Sequence, residues 1–260
     1  MLIGLSREEL LHEALVRTRE SFVPFPGLRV VQRQGWWQLI TPLFRQGGFN
    51  EVALAQLEPA QADAVIAATI AEYDELGIRF RWGVGPDSSP PDLGARLAAQ
   101  GLVSERSVVM AAAIEEVLAR LVVDPAIRIE PVGAHNLEDF VAVSAAGWDC
   151  DPEPLRMYQR VLQADAGGRH HCCVAYVDGV AVGIANHVLF ERSTYLIGGV
   201  VLPAMRGRGV YRALIAARLR HTLAAGIKLA TTQARAGTSA PILARLGFVA
   251  LTECEVYHRP

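Results

Sequence analysis

Lysine is almost missing from this chain of 260 residues: Lys228 stands alone against 24 arginines. With the high alanine content, that bias points to a GC-rich bacterial gene. Cysteine is scarce too. Cys150, Cys172, Cys173 and Cys254 form no C-x-x-C pair, so neither a zinc knuckle nor a disulfide framework is predicted, and the four read as reduced thiols of a cytoplasmic protein. No apolar run approaches the roughly 18 residues that a membrane span needs. The first 22 residues read as a charged amphipathic helix without the apolar centre of a secretory signal. Acidic residues are absent over one long stretch. From Arg192 to Thr252 there are nine Lys or Arg and no Asp or Glu, leaving 16 basic and 27 acidic residues elsewhere. Overall the net charge is only −2, which gives no footing for nucleic acid. The local excess reads either as a basic surface around an anionic ligand or as solvated helix arginines, among them Arg218 and Arg220.

What is present is ample apolar material, 51% of the chain, enough for one large or two small domains. A boundary is expected near Val123-Asp124-Pro125-Ala126, dividing the chain into 1–124 and 125–260. Similar patterns stand on either side. Gln61–Leu76, a strand after Gly77, Leu93–Leu97 and Gly101-Leu102-Val103 match Arg208–Ala225, a strand after Gly226, Leu243–Leu246 and Gly247-Phe248-Val249. This predicts a duplicated strand–helix–strand–helix–strand unit. Strands are also expected at 28–40 and 49–57, and an apolar run spans Val108–Leu121. The second half reads as a strand at 127–132, helices at 135–146 and 153–164, and strands at 171–177, 180–190 and 194–202. A helix at 208–225, a strand at 228–234, a helix at 239–246 and a strand at 248–257 follow. Asp178-Gly179 marks a tight hairpin. Hairpins mixed with crossovers give an α/β class with a mixed sheet, not a doubly wound one.

One segment carries chemistry. Gly198-Gly199-Val200-Val201-Leu202-Pro203 is a strand stopped by proline, which cannot donate to a ladder. Arg206-Gly207-Arg208-Gly209-Val210-Tyr211 follows and runs into strong helix formers. Two glycines free to take positive φ let backbone N–H groups converge at the positive end of a helix dipole, and two arginines add charged donors. Such a turn fits a phosphate ester. It is not a P-loop, because Val210-Tyr211 stands where Gly-Lys-Ser/Thr is required. Nor is it a dinucleotide fingerprint, because Arg212 stands where a third glycine is required.

The segment resembles the signature of the GCN5-related N-acetyltransferase (GNAT) family, Arg/Gln-x-x-Gly-x-Gly/Ala after a strand ending Val-x-Pro. The likeness extends over 126–260, including Leu246-Gly247-Phe248. Residues 20–120 read as a degenerate copy whose turn, Leu57-Glu58-Pro59-Ala60-Gln61-Ala62, has no glycine. The resemblance implies a tandem acyl-CoA N-acyltransferase fold, a degenerate lobe at 1–124 and a catalytic domain at 125–260. It implies acetyl-CoA or another acyl-CoA as co-substrate, no metal, no nucleic acid or membrane partner, and a primary amine of a small molecule or peptide as acceptor. A homodimer is compatible with it. Carried over, the N–H groups of Arg208, Gly209, Val210 and Tyr211 hold pyrophosphate with Arg206 and Gly207. The backbone of Gly199, Val200 and Val201 pairs with pantetheine, and an N–H there polarises the thioester carbonyl. The amine attacks directly. Tyr211 replaces the usual small residue, which requires its ring to point away. Ser239 stands near the usual asparagine, whose own position is Gly237. Leu243 takes the place of the tyrosine that protonates the leaving thiolate.

Other residues are open to two readings. His187 is a candidate general base or a structural histidine, and Tyr195 a candidate acid or acceptor contact. Trp148 and Asp149 are candidate acceptor contacts, with Asp149 and Asp151 otherwise helix caps. His170-His171-Cys172-Cys173 alternates sides on a strand, so the four cannot converge on a metal alone. Cys173 lacks a base partner by spacing. Trp36-Trp37 reads as a strand pair. The competing functional readings are a non-catalytic acyl-CoA-binding or interaction protein and a generic phosphate binder.

Overall fold

The computed structural model describes residues 2–21, 27–46, 48–164 and 168–259. The chain opens with α1 (Arg7–Leu11), where Ser6 and Glu9 form a reciprocal capping box. One π turn (His12–Val16) and one 3-10 turn (Arg17–Glu20) continue it. Then come β1 (Arg29–Arg33), β2 (Trp36–Ile40), β3 (Glu51–Ala53), α2 (Ala62–Glu75), β4 (Arg81–Val84), α3 (Leu93–Ala99), β5 (Val103–Ala113) and α4 (Ile114–Arg120). The remainder is β6 (Arg128–Pro131), α5 (Leu137–Trp148), α6 (Pro152–Ala164), β7 (His170–Val177), β8 (Val180–Leu189), β9 (Ser193–Val201), α7 (Val210–Ala224), β10 (Leu229–Arg235), α8 (Ser239–Arg245) and β11 (Val249–His258).

Two compact units form, and they interleave along the chain. The first comprises residues 1–23, 109–234 and 238–251, and the second 24–108, 235–237 and 252–260. Strands β5 and β11 are therefore each divided between units, so these boundaries differ from the sequence division at 124/125. The duplicated order is present: β3-α2-β4-α3-β5 and β9-α7-β10-α8-β11. In each copy the first crossover is parallel, with Val52 opposite Trp82 and Thr194 opposite Ala230.

In the second unit the sheet runs β1-β2-β3-β4-β11, with Glu255 of β11 antiparallel to Val84 of β4. The strand expected at 28–40 is instead a hairpin. Gly35 turns the chain at φ +87°, and a Cβ there would collide with the carbonyl oxygen of Gln56. The strand expected at 49–57 ends after Ala53, where Leu54 takes a positive φ. The core gathers Ile66, Ile70, Tyr73, Phe80, Trp82, Leu93 and Leu97. Tyr73 stacks on Phe80 at 4.3 Å, and its hydroxyl donates to Leu39 O at 2.9 Å. In the turn before α2, Gln61 N–H is taken by Glu58 O, and no glycine opens it.

In the first unit the order is β10-β9-β8-β7-β6, with the inner part of β5 beside β10. The apolar run Val108–Leu121 splits into the end of β5 and α4. Asp178 (φ +52°) and Gly179 (φ +79°) make the predicted tight hairpin. Helix α7 covers one sheet face over Cys173, Ala175, Ala185 and Val201, while α5 covers the other through Phe140 and Val143 on Val174, Ile184 and Val200. Each of the valine, isoleucine and phenylalanine side chains among them contributes about 1.5–3 kcal/mol on removal from water. The N-terminal helical segment docks on the same unit. Glu13, in its π turn and 3% exposed, accepts from Ser193 Oγ at 2.6 Å, and Glu9 pairs with Arg192 at 3.0 Å.

Candidate active site

The site begins where β9 leaves its neighbours. The pairing of β10 with β9 covers only Ser193–Tyr195. Beyond it Thr232 Oγ1 still donates to Leu196 O at 2.9 Å, and then that edge of β9 is open among the described residues. On the other edge Ile184 faces Val200 while Asn186 faces Ile197. Ala185 thus opposes both Gly198 and Gly199, a β-bulge built on Gly198 at φ +61°. The strand carrying the signature therefore offers free backbone groups, as a sheet edge that accepts an extended ligand does.

Downstream the chain makes one 3-10 turn at Pro203–Met205 and enters the basic turn. Gly207 (φ +79°) and Gly209 (φ +85°) adopt the left-handed conformation that their sequence positions require. Gly209 caps α7 without a side chain, so no side chain takes the first-turn N–H groups of this 15-residue helix. They face outward at the positive end of its dipole. Arg208 is exposed, while Arg206 folds back so that its Nε donates to Val201 O at 3.3 Å. Ser239 is half-buried in the first turn of α8, and no hydrogen bond joins it to the turn.

Two groups of side chains flank the bulge. On one face the Trp148 ring and the Asn186 amide lie over Gly198, where an added Cβ would sit 3.4 Å from Trp148 Cη2 and 3.1 Å from Asn186 Nδ2. Trp148 ends α5 and is 40% exposed, and Asn186 Oδ1 is buried with no hydrogen-bond partner. Gly147 lets α5 come this close, since a Cβ there would be 2.5 Å from Val200 Cγ2. Asp149 is the left-handed C-cap of α5, and Asp151 Oδ1 accepts from Glu153 N–H at the start of α6.

On the other face lie Tyr211 and Arg218, two turns apart on one face of α7. A Cβ at Gly199 would be 3.4 Å from Tyr211 Cε2 and 3.8 Å from Arg218 Nη2. The Tyr211 ring thus packs toward the strand, contrary to the requirement that it point away. The gap it fills is the one left by Gly199, and burial raises its phenol pKa against the lowering effect of Arg218. Arg218 is the larger departure from sequence expectation. It is 3% exposed, not solvated, and donates from Nε to Leu214 O (3.1 Å) and from Nη1 to Asn186 O (3.0 Å).

The two candidate catalytic side chains stand on opposite faces of the sheet. His187 is opposite Leu196, and Tyr195 is opposite Val188. Tyr195 lies buried with Val188 and Phe190. His187, 4% exposed, shares a hydrogen bond from Nε2 to His221 Nδ1 at 3.0 Å, with the His171 ring 5.2 Å away. Burial, then the charge of Arg218, pulls its pKa down to about 2, so it is neutral and a poor base. Burial raises the Cys173 thiol pKa, and Cys172 faces the α5 side. Among the described residues no three His, Cys, Asp or Glu side chains converge on a metal position. Leu243 is 1% exposed, in the core. Sequence reasoning missed Asn186, Gly147 and Arg218. The spacing of Tyr211, Leu214 and Arg218 on one face of α7 is the signal that could have found the last.

Residues 137–248 match the family described as Acetyltransferase (GNAT) family. No curated protein matches the sequence. Among solved structures, a functionally unknown conserved protein from Staphylococcus epidermidis superposes with TM-score 0.69 at 13% identity, covering 90% of this chain and 95% of that one. A GCN5-related N-acetyltransferase from Kribbella flavida gives 0.63 at 17% identity, covering 99% and 96%. A tandem GNAT protein from the clavulanic acid biosynthesis pathway gives 0.60 at 17%, covering 92% and 84%. These likenesses establish the fold, a mixed-sheet α/β GNAT fold. No described helix is long and apolar enough to cross a membrane.

Proposed function

Because residues 137–248 belong to the Acetyltransferase (GNAT) family, we propose that this chain transfers an acyl group, acetyl in the first instance, from acyl-CoA to a primary amine of a small molecule or peptide. The observation that carries the reading is the continuity of an open, bulged strand edge with a turn whose N–H groups have no side-chain cap. The N–H groups of Arg208–Tyr211 hold the pyrophosphate, with Arg206 and Arg208 screening its charge. The edge at Gly199–Val201 takes the pantetheine amides as an added strand. A bulge N–H donates to the thioester carbonyl, where negative charge grows as the amine attacks. The acceptor approaches from the Trp148 side of the bulge, where the half-exposed ring offers an aromatic face. Asp149 adds negative charge nearby. His187 is too weakly basic to deprotonate the amine, so water in the cleft removes that proton. The signature turn and the open strand edge both belong to the first unit, and the turn before α2 in the second unit has no glycine to cradle a phosphate.

Calorimetric titration with acetyl-CoA tests this directly. Micromolar binding is expected, with Arg208→Glu and Gly209→Asp each weakening it at least about 100-fold by placing a carboxylate beside the phosphates. A folded protein that ignores millimolar acetyl-CoA refutes the reading. A second reading, a non-catalytic acyl-CoA-binding protein, draws on buried Leu243 and the poor basicity of His187. Thiol release in a panel of amines separates the two.

A further inference from the structure

Arg218 poses a question that the binding turn does not answer. It carries a permanent charge, is 3% exposed, and makes no ion pair with a carboxylate of any described residue. The groups around it are polar or weakly acidic at most. Cys173 comes from β7, His187 from β8, and Tyr211 from its own helix, with His171 and His221 beyond His187. Leaving a buried cation unpaired is costly, and an apolar side chain of the same volume is often as stable or more so. Two carbonyl acceptors explain its hydrogen bonds but not the charge. The direction in which the guanidinium points does. Its remaining nitrogen, Nη2, lies 3.8 Å from the Cβ position of Gly199, under the bulge.

We propose that Arg218 is an electrostatic positioning residue whose buried charge, held under Gly199, stabilises the negative charge that develops on the acyl group above it. The inference rests on the acyl-CoA reading of the same site. As the amine nitrogen bonds to the carbonyl carbon, the carbonyl π pair moves onto oxygen. When the C–S bond breaks, the oxygen pair re-forms the carbonyl and the C–S bonding pair leaves on sulfur; the proton that the attacking nitrogen sheds to water balances the one that the thiolate takes up from water. Both anionic stages occur at the bulge. Arg218 gives and takes no proton, and acts through space and through the Asn186 carbonyl that it holds in place.

The test needs no acceptor amine. Calorimetry compares acetyl-CoA with S-carboxymethyl-CoA, an analogue carrying a fixed negative charge at the acyl end, in wild type, Arg218→Met and Arg218→Lys. Arg218→Met is expected to lower the preference for the charged analogue over acetyl-CoA by about 10- to 100-fold. It should hold acetyl-CoA affinity within about threefold and unfold at the same or a higher temperature. Arg218→Lys shows the preference while its ammonium is protonated and loses it as pH rises through the lowered pKa of a buried lysine. That readout would not move if the side chain merely braced the strand, and it stands if Arg218→Met fails to fold. Retention of the preference in Arg218→Met, or an equal loss for both ligands, overturns the inference in favour of a bracing role. A pH-independent preference in Arg218→Lys does so too. Wild type that binds neither ligand refutes the acyl-CoA reading itself.

Discussion

The histidine pair under β8 makes a quantitative prediction about acid stability. His187 is 4% exposed, its Nδ1 is buried without a hydrogen-bond partner, and its Nε2 meets His221. Its native pKa lies at about 2, chiefly through burial and then through Arg218, against about 6.5 in the unfolded chain. A base whose native pKa is depressed contributes full stability above the unfolded value. Below it the unfolded chain takes up a proton that the native state refuses. Stability therefore falls by about 1.4 kcal/mol per pH unit from near pH 6.5 downward, until the native pKa is reached. Between pH 7 and pH 5 the loss from this one residue is about 2 kcal/mol. Any native pKa below about 4 gives the same figure in that window. The perturbation is His187→Gln, and the assay is urea unfolding of both proteins at pH 7 and pH 5. Contributions of groups remote from His187 cancel in the double difference, while His221 and His171, which touch it, can respond to the substitution; the variant should lose less than wild type on acidification, with about 2 kcal/mol of the difference due to His187 itself. Equal losses would mean that His187 titrates normally in the native state, and the burial argument would be refuted.

Two further substitutions probe the packing around the site and the second unit. Gly147→Ala places a methyl 2.5 Å from Val200 Cγ2, and a β-branched valine has little freedom to yield. It should cost about 1–3 kcal/mol in thermal unfolding and shift Trp148 fluorescence as the end of α5 lifts off β9. Tyr73→Phe removes the hydroxyl that donates to Leu39 O in the core of the second unit. The lost bond and the unpaired carbonyl should cost about 1–2 kcal/mol, and an unchanged midpoint in urea would contradict the bond.

Much of the first unit was legible because its signals are local. Asp178-Gly179 dictates a tight turn whatever surrounds it, and Pro203 with Gly207 and Gly209 dictates a strand end, a turn and a helix start. Where the signal was apolarity alone, the reading blurred. Val108–Leu121 looks uniform, yet it holds the end of β5 and all of α4, because a buried strand and a buried helix demand the same residue types. The turn at Gly35 was hidden for a similar reason. It lies between β-forming residues, and the close approach of Gln56 that makes glycine necessary comes from a distant part of the chain.

Arg218 departs from the other cations of its region. Counting nine cations without an anion between 192 and 252 located a basic region, but Arg218 was grouped with Arg220 among the solvated helix arginines. The helix separates them. Arg212 and Arg220 point to solvent, whereas Arg218 shares the inward side of α7 with Val210, Leu214 and Leu219. A periodic apolar face interrupted by one arginine is therefore a stronger pointer than the sum of charges. Such a residue is retained against a desolvation penalty of several kcal/mol. It follows that the place to look for unassigned electrostatics in this fold is the buried side of α7 beneath the bulge, rather than the exposed arginines of the turn.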